Sequence, residues 1–274
     1  SLDARNEGDR GPVHVRVAWL SWDDVGEAGK HQLKELVDPL RPHLEAAGRP
    51  IDDNTTHAAL IVEDFGTTGL TGKLDVPSDP GNFRSFFFRH SSSRKGRGSG
   101  GRWGLGKLVF ARMSNASCWF ALTTRSNDQR TLLMGKAAIG TRTMSDRSSY
   151  SAFARWCVTD KERREMPVEE MTWLATFRNL FQLKRNGKSG VSIVVPLPRV
   201  SPDLVKLRRA ILGEWLVPIL RGRLVVEIQG EKIDAATAAE LAASELGDVT
   251  AAFLATVARS NAVPDLLSEL HPRS

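Results

Sequence analysis

The chain holds 274 residues, 41% of them apolar and 26% charged, a balance that belongs to folded globular proteins and excludes a disordered or fibrous one. Thirty-eight Lys and Arg against 32 Asp and Glu leave a net charge of +6, which permits a nucleic-acid partner without requiring one. Two cysteines, Cys118 and Cys157, are too few for a disulfide framework and lack metal-ligand spacing, which makes the cytoplasm the expected compartment; the longest apolar runs, at 58–62 and 192–197, fall short of the roughly 18 to 20 residues of a membrane helix.

Residues 1–5 carry neither the charged nor the apolar region of a signal peptide, and with Ser at position 1 the sequence is expected to begin inside a longer product. Over 12–22, Val13, Val15, Val17 and Trp19 alternate with His14, Arg16 and Ala18, the period of a strand. Residues 27–47 space Leu33, Leu36, Val37, Leu40 and Leu44 for a helix that Pro39 and Pro42 should break in two. The run 58–62 is apolar without alternation, as in a strand buried on both faces, and it delivers the chain to Glu63-Asp64-Phe65-Gly66. A Gly, Ser, Pro and Asp-rich stretch follows over 67–82. Phe83, Phe86, Phe87 and Phe88 should anchor it to the core, and the basic Gly/Ser segment 89–102 reads as a mobile loop.

Residues 104–113 read as a helix, 118–124 and 131–134 as a hairpin over Ser126-Asn127-Asp128, 151–184 as mixed and mostly helical, and 191–196 as a strong strand. Pro196, Pro198 and Pro202 mark the expected domain boundary. Beyond it lie a helix over 202–220, a strand over 223–228 ending at the Gln229-Gly230 turn, and an Ala-rich helix over 234–259.

Gly101-Arg102-Trp103-Gly104-Leu105-Gly106-Lys107 fits the G-x-x-x-x-G-K of a P-loop. The next residue is Leu108, however, where a P-loop needs Ser or Thr for magnesium, and no buried strand leads into the segment. A Rossmann fingerprint fails too, since no G-x-G-x-x-G follows a strand. The two glycine clusters make better sense together. Asp64 ends a buried strand, and Gly66 and Gly69 stand where a backbone bends closely around something flat. A carboxylate at the floor of an apolar pocket can accept the exocyclic amine of adenine. The second cluster leads into a helix whose free N–H groups and dipole suit phosphates, with Lys107 as a point charge beside them.

These residues resemble the GHKL family of ATPases, the superfamily of DNA gyrase B, Hsp90, MutL, MORC proteins and histidine kinases. Asp64, Gly66 and Gly69 match its D-x-G-x-x-G motif, with Leu70 following. Gly101, Gly104, Leu105, Gly106 and Lys107 resemble the glycine box that closes the ATP lid, which would span 71–100. The strand 190–196 resembles the family's late strand, whose Thr supports the adenine site; Val191 occupies that position here, leaving Ser192 as the candidate substitute. Ser1, Leu2, Asp3 and Ala4 resemble the end of the N box, E-x-x-x-N-S-x-D-A, so Ser1, Asp3 and Ala4 would border the nucleotide. The general-base Glu and the Mg2+-binding Asn are then expected upstream of Ser1, and the chain as given should bind ATP poorly and hydrolyse little.

The resemblance implies an α/β (α+β) two-layer sandwich over 1–198, with a mixed, mostly antiparallel sheet and helices on one face, followed by a smaller transducer-like α/β segment over 199–274. It implies Mg2+ and ATP as ligands, hydrolysis in the intact protein, lid closure as the conformational signal, and a homodimer on ATP binding, with a DNA or protein client and no membrane. The inserted helical segment between Val25 and Ala47 and the basic lid resemble stand-alone bacterial members, some of which serve DNA-linked or phage-defence systems. Two alternatives stand beside this reading. One is a non-catalytic nucleic-acid-binding module using the loop 89–102, and the other is an ATP-sensing scaffold that never hydrolyses.

Overall fold

The computed structural model describes residues 11–79, 81–89 and 106–247. The alternating segment forms β1 (Val13–Ser21). Ser21 then caps α1 (Trp22–Val37): its hydroxyl accepts from the Asp24 amide while the Asp24 carboxylate takes the Ser21 amide, a reciprocal capping box. Pro39 falls in a short 3-10 turn (Asp38–Leu40) and Pro42 in the first turn of α2 (Arg41–Ala46), so the prolines divide the helical segment as expected. β2 (His57–Phe65) follows, then α3 (Asn82–Phe87), α4 (Gly106–Met113) and the hairpin of β3 (Cys118–Thr124) and β4 (Thr131–Ala138).

The next segment holds β5 (Arg142–Thr143), β6 (Ser149–Tyr150), β7 (Phe153–Trp156), β8 (Val158–Thr159), β9 (Glu165–Met166) and α5 (Met171–Leu180). Residues 151–184 are therefore not mostly helical: three strands of two to four residues precede the helix, and strands so short contain too few alternations to show a period. β10 (Gly190–Pro196), α6 (Leu204–Leu220), β11 (Leu224–Ile228), β12 (Glu231–Ile233) and α7 (Ala238–Leu246) complete the chain's described elements. Of the Ala-rich helix expected over 234–259, residues 248–259 lie outside the described residues.

Eight strands form one mixed sheet in the order β12, β11, β1, β2, β10, β3, β4, β7. Every pairing in it is antiparallel except that of β1 with β11. That parallel pair joins the segment after residue 198 to the strands before it, and Gln229, at φ 50°, extends the join by accepting the Trp19 amide on its side-chain oxygen at 2.7 Å.

Helices cover both faces of the sheet, where the sequence suggested one. On the first face Ala18, Leu20, Ala59, Ile61, Phe120, Leu122 and Val194 pack beneath α1 and α5 through Leu33, Val37, Leu174 and Phe177. The alternate residues point the other way. There Trp19, Leu60, Trp119 and Val195 meet Ala111 of α4, Ala121, Leu132 and Met134 meet Phe83 and Phe87 of α3, and Val13, Val226 and Ile233 meet Leu212, Leu216 and Ala238 of α6 and α7. The cause is visible in β3, which is buried at all seven positions: a strand apolar on both sides needs cover on both sides. Among the described residues no helix is long and apolar enough to cross a membrane.

Candidate functional site

β2 is the centre of the site. Leu60, Val62 and Asp64 share the face that α4 covers, and Leu60 is buried under that helix while Val62 and Asp64 are only half-buried. On the neighbouring strands Val15 faces Asp64 across the ladder and Ile193 faces Val62, and both are half-buried too. A strip of the three central strands is thus left between the α3 and α6 clusters, apolar except for one carboxylate.

That carboxylate is held by one oxygen. Asp64 Oδ1 accepts from the Thr67 hydroxyl and from the Val191 amide, both at 2.7 Å. Oδ2 has no hydrogen-bond partner among the described residues. The chain turns away from Asp64 through Gly66 and Gly69, at φ 75° and 69°, conformations that cost glycine nothing. Gly69 also lies so close to β3 that a Cβ there would stand 2.4 Å from the Thr124 carbonyl oxygen. Thr123 ties the turn down: its hydroxyl accepts the Leu70 amide at 2.9 Å and donates to the Gly190 carbonyl at 2.8 Å. Gly190, at φ 138°, is pressed against Asp64 itself, its Cβ position lying 2.3 Å from that residue's carbonyl oxygen.

Behind the strip, on the α1 and α5 side, runs a buried polar network. Glu63, with no exposed surface, accepts from Arg16 Nη1 at 2.8 Å, from the Lys184 amide at 3.0 Å and from the Ser192 hydroxyl at 2.8 Å. Arg185, 2% exposed, donates from Nε to Ser192 Oγ at 2.9 Å, from Nη1 to the Lys188 carbonyl at 2.7 Å and from Nη2 to the Asp64 carbonyl, with its guanidinium over the Phe65 ring. Burial pushes its guanidinium down to about 10, against the charges of Asp64 and Glu63. Full pairing is what makes ionised groups tolerable at this depth.

The structure thus brings Asp64, Gly66 and Gly69 together at one strand end. Leu70 contributes its amide to Thr123, while its side chain is buried among Leu74, Phe83 and Phe87. Ser192 does not take the Thr place in the pocket: it lies on the opposite face, between Glu63 and Arg185. The groups that do bond the Asp64 carboxylate are the Thr67 hydroxyl and the Val191 amide. Ser1, Asp3, Ala4, Gly101, Gly104 and Leu105 lie outside the described residues, as do 80 and 90–100 of the expected lid. Gly106 and Lys107 open α4. Among the described residues no three His, Cys, Asp or Glu side chains group to hold a metal.

Sequence reasoning missed Thr67, Thr123, Gly190 and Arg185. A hydroxyl three residues after Asp64, in the turn that leaves β2, was the one local signal. The chain matches no protein-family model and no curated protein. The site's chemistry therefore stands on its motifs and geometry.

Two cavities lie elsewhere. One, of about 260 Å³, opens between α1 and α5 beside Leu36, Trp173 and Phe177; the other, of about 620 Å³, lies beside the β3–β4 turn between Lys73, Asp75, Asp79, Arg125, Arg130 and Arg164. Neither is lined by Asp64.

Proposed function

We propose that the chain is the nucleotide-binding part of a GHKL-type ATPase, taking ATP on the strip formed by β1, β2 and β10. The observation that carries this reading is the half-engaged carboxylate of Asp64. Thr67 and Val191 both donate to Oδ1, so the side chain is fixed as an acceptor, and Oδ2 is left to accept a donor from a ligand. An exocyclic amine satisfies it; the ring carbonyl of guanine or hypoxanthine brings one lone pair against another. Val15, Val62 and Ile193 offer the flat apolar surface that the base would cover.

Within this reading Gly66 and Gly69 let the backbone close against the base, Thr123 holds the turn to β3, and the start of α4 with Lys107 receives the phosphates. ATP would supply the bond to be cleaved, and Mg2+ would accompany its phosphates. The described residues bind and orient.

Asp64→Asn tests this. Its carbonyl oxygen should stay with Thr67 and Val191, which turns the amide nitrogen toward the ligand and reverses the hydrogen-bond sense of the pocket. Ligand-observed NMR at millimolar nucleotide should show ATP binding to the wild-type chain, its loss in Asp64→Asn, and a relative gain for ITP in the variant. Wild-type binding that ignores the base, or ATP binding that survives Asp64→Asn, overturns the assignment. Steeply salt-dependent binding of DNA or RNA that survives the same change would instead support the nucleic-acid module.

A further inference from the structure

We propose that Arg185 is a positioning residue of the nucleotide pocket, acting from the far side of the sheet to hold the backbone that presents Asp64. The proposal rests on the nucleotide reading above and gives it a specificity determinant outside the glycine motifs.

The ladder between the two central strands stops just short of the site. β2 and β10 pair from Ala59 with Pro196 to Glu63 with Ser192, and Asp64 and Val191 lie one step past that last pair. Beyond it the strand ends are joined by Asp64 Oδ1 to the Val191 amide and by Arg185, whose guanidinium links the Asp64 carbonyl, the Lys188 carbonyl and the Ser192 hydroxyl. A planar fork of donors can hold three acceptors in fixed relation, which an ammonium cannot. Arg185 thus stands in for the ladder bonds missing between β2 and β10 beyond Glu63 and Ser192. It holds the backbone on both sides of the Asp64–Val191 contact, and that contact sets the direction in which the free carboxylate oxygen points.

Its neighbours argue against a role in folding alone. Glu63 keeps the Arg16 guanidinium, the Lys184 amide and the Ser192 hydroxyl as partners when Arg185 is removed. Loss of the guanidinium should therefore loosen the last residues of β2 and the first of β10 while the sheet persists. Without it the Asp64 carboxylate is no longer held in one orientation toward the base.

The test uses the full chain with Arg185→Met and Arg185→Lys. ATP and ITP affinities are read by ligand-observed NMR, the Val191 amide by hydrogen exchange, and folding by circular dichroism and thermal melting. Arg185→Met should keep the wild-type spectrum and a cooperative melt, exchange Val191 faster, lose roughly tenfold in ATP affinity, as expected when bonds to a charged group are removed, and lose its preference for ATP over ITP. Arg185→Lys should recover only part of both. Affinity and preference that stay at wild-type values overturn the proposal, and so does a loss of binding with Val191 exchange unchanged. Should Arg185→Met fail to fold, Ser192→Ala removes a single anchor and should raise Val191 exchange and weaken base preference to a smaller degree; no change in either overturns the proposal. A wild-type chain that binds neither nucleotide removes the nucleotide reading and this proposal together, and the wild-type arm alone identifies that case.

Discussion

The two faces of the sheet are built from the same strands and finished differently. Under α1 and α5 the face is closed by large apolar side chains: Phe177 stands 5.7 Å from Phe120 and 4.8 Å from Phe181, ring centre to ring centre, and all three are buried. Under α3, α4 and α6 the cover comes in three separate clusters, and Val15, Val62, Asp64 and Ile193 between them stay half-buried. A central strand normally has every reason to hide such residues. The closed face thereby holds the larger apolar core and the proposed ligand strip lies on the other, with β2 facing both through alternate side chains.

Paired truncations set the two faces directly against each other. Phe177→Ala should cost about 3–5 kcal/mol, the usual range for emptying a buried aromatic site, whereas Val62→Ala removes two half-exposed methyl groups and should cost only about 1 kcal/mol. Urea unfolding followed by tryptophan fluorescence reads both. Equal losses would mean that the strip is as much core as the closed face, and the case for a ligand there would go with it.

Gly190→Ala probes the point at which the two faces meet. Its φ of 138° and a Cβ position 2.3 Å from the Asp64 carbonyl leave no room without moving the carboxylate's support. A stability loss of about 1–3 kcal/mol, the typical cost of such backbone strain, should accompany loss of adenine selectivity. Gly187, in the exposed turn that leads into β10, supplies the control. Nothing stands close to its Cβ position, so Gly187→Ala should lower stability through its φ of 72° alone and leave base preference intact. The same nucleotide titrations, run beside urea unfolding, separate the two variants; a shared loss of selectivity would mean that loosening the turn anywhere disturbs Asp64.

The range of each interaction decides how much of this can be read from the sequence. β1 shows itself through period-two alternation and β2 through its lack of any, because those patterns are written within a few consecutive residues. The broken helix follows from Pro39 and Pro42, and the site's floor from Asp64 and its glycines. Residues 153–166 give no such sign, because their strands are too short to carry a period. Arg185 is hidden for another reason. Its partner Asp64 lies 121 residues away and the Ser192 to Glu63 bond spans 129, so nothing in the local composition of Lys184-Arg185-Asn186-Gly187 separates a buried guanidinium from a solvated one. Ser192 differs from the expected pocket position by one residue of register, which in a strand reverses the side a residue faces.

The smallest expected effect separates the faces by pH. His14 lies on the Arg16 and Glu63 side of β1, beside the Phe65 ring and 3.5 Å from Glu227. Burial holds its pKa below the ordinary 6.5, outweighing the attraction of Glu227 and Glu63 and reinforced by Lys188 and Lys232. The contact with Glu227 is accordingly not an ion pair near neutrality. Below pH 6.5 the unfolded chain binds a proton at this position that the folded chain resists, so stability falls as pH drops and levels off once the folded group's own lowered pKa is passed. In His14→Gln that part of the slope should vanish while the contribution of the carboxylates remains. Urea unfolding at intervals between about pH 7.5 and pH 5 compares the two slopes. A variant as pH-sensitive as the wild type would mean that His14 is solvated when folded, and that the closed face is wetter at its β11 end than its hydrogen-bonding implies.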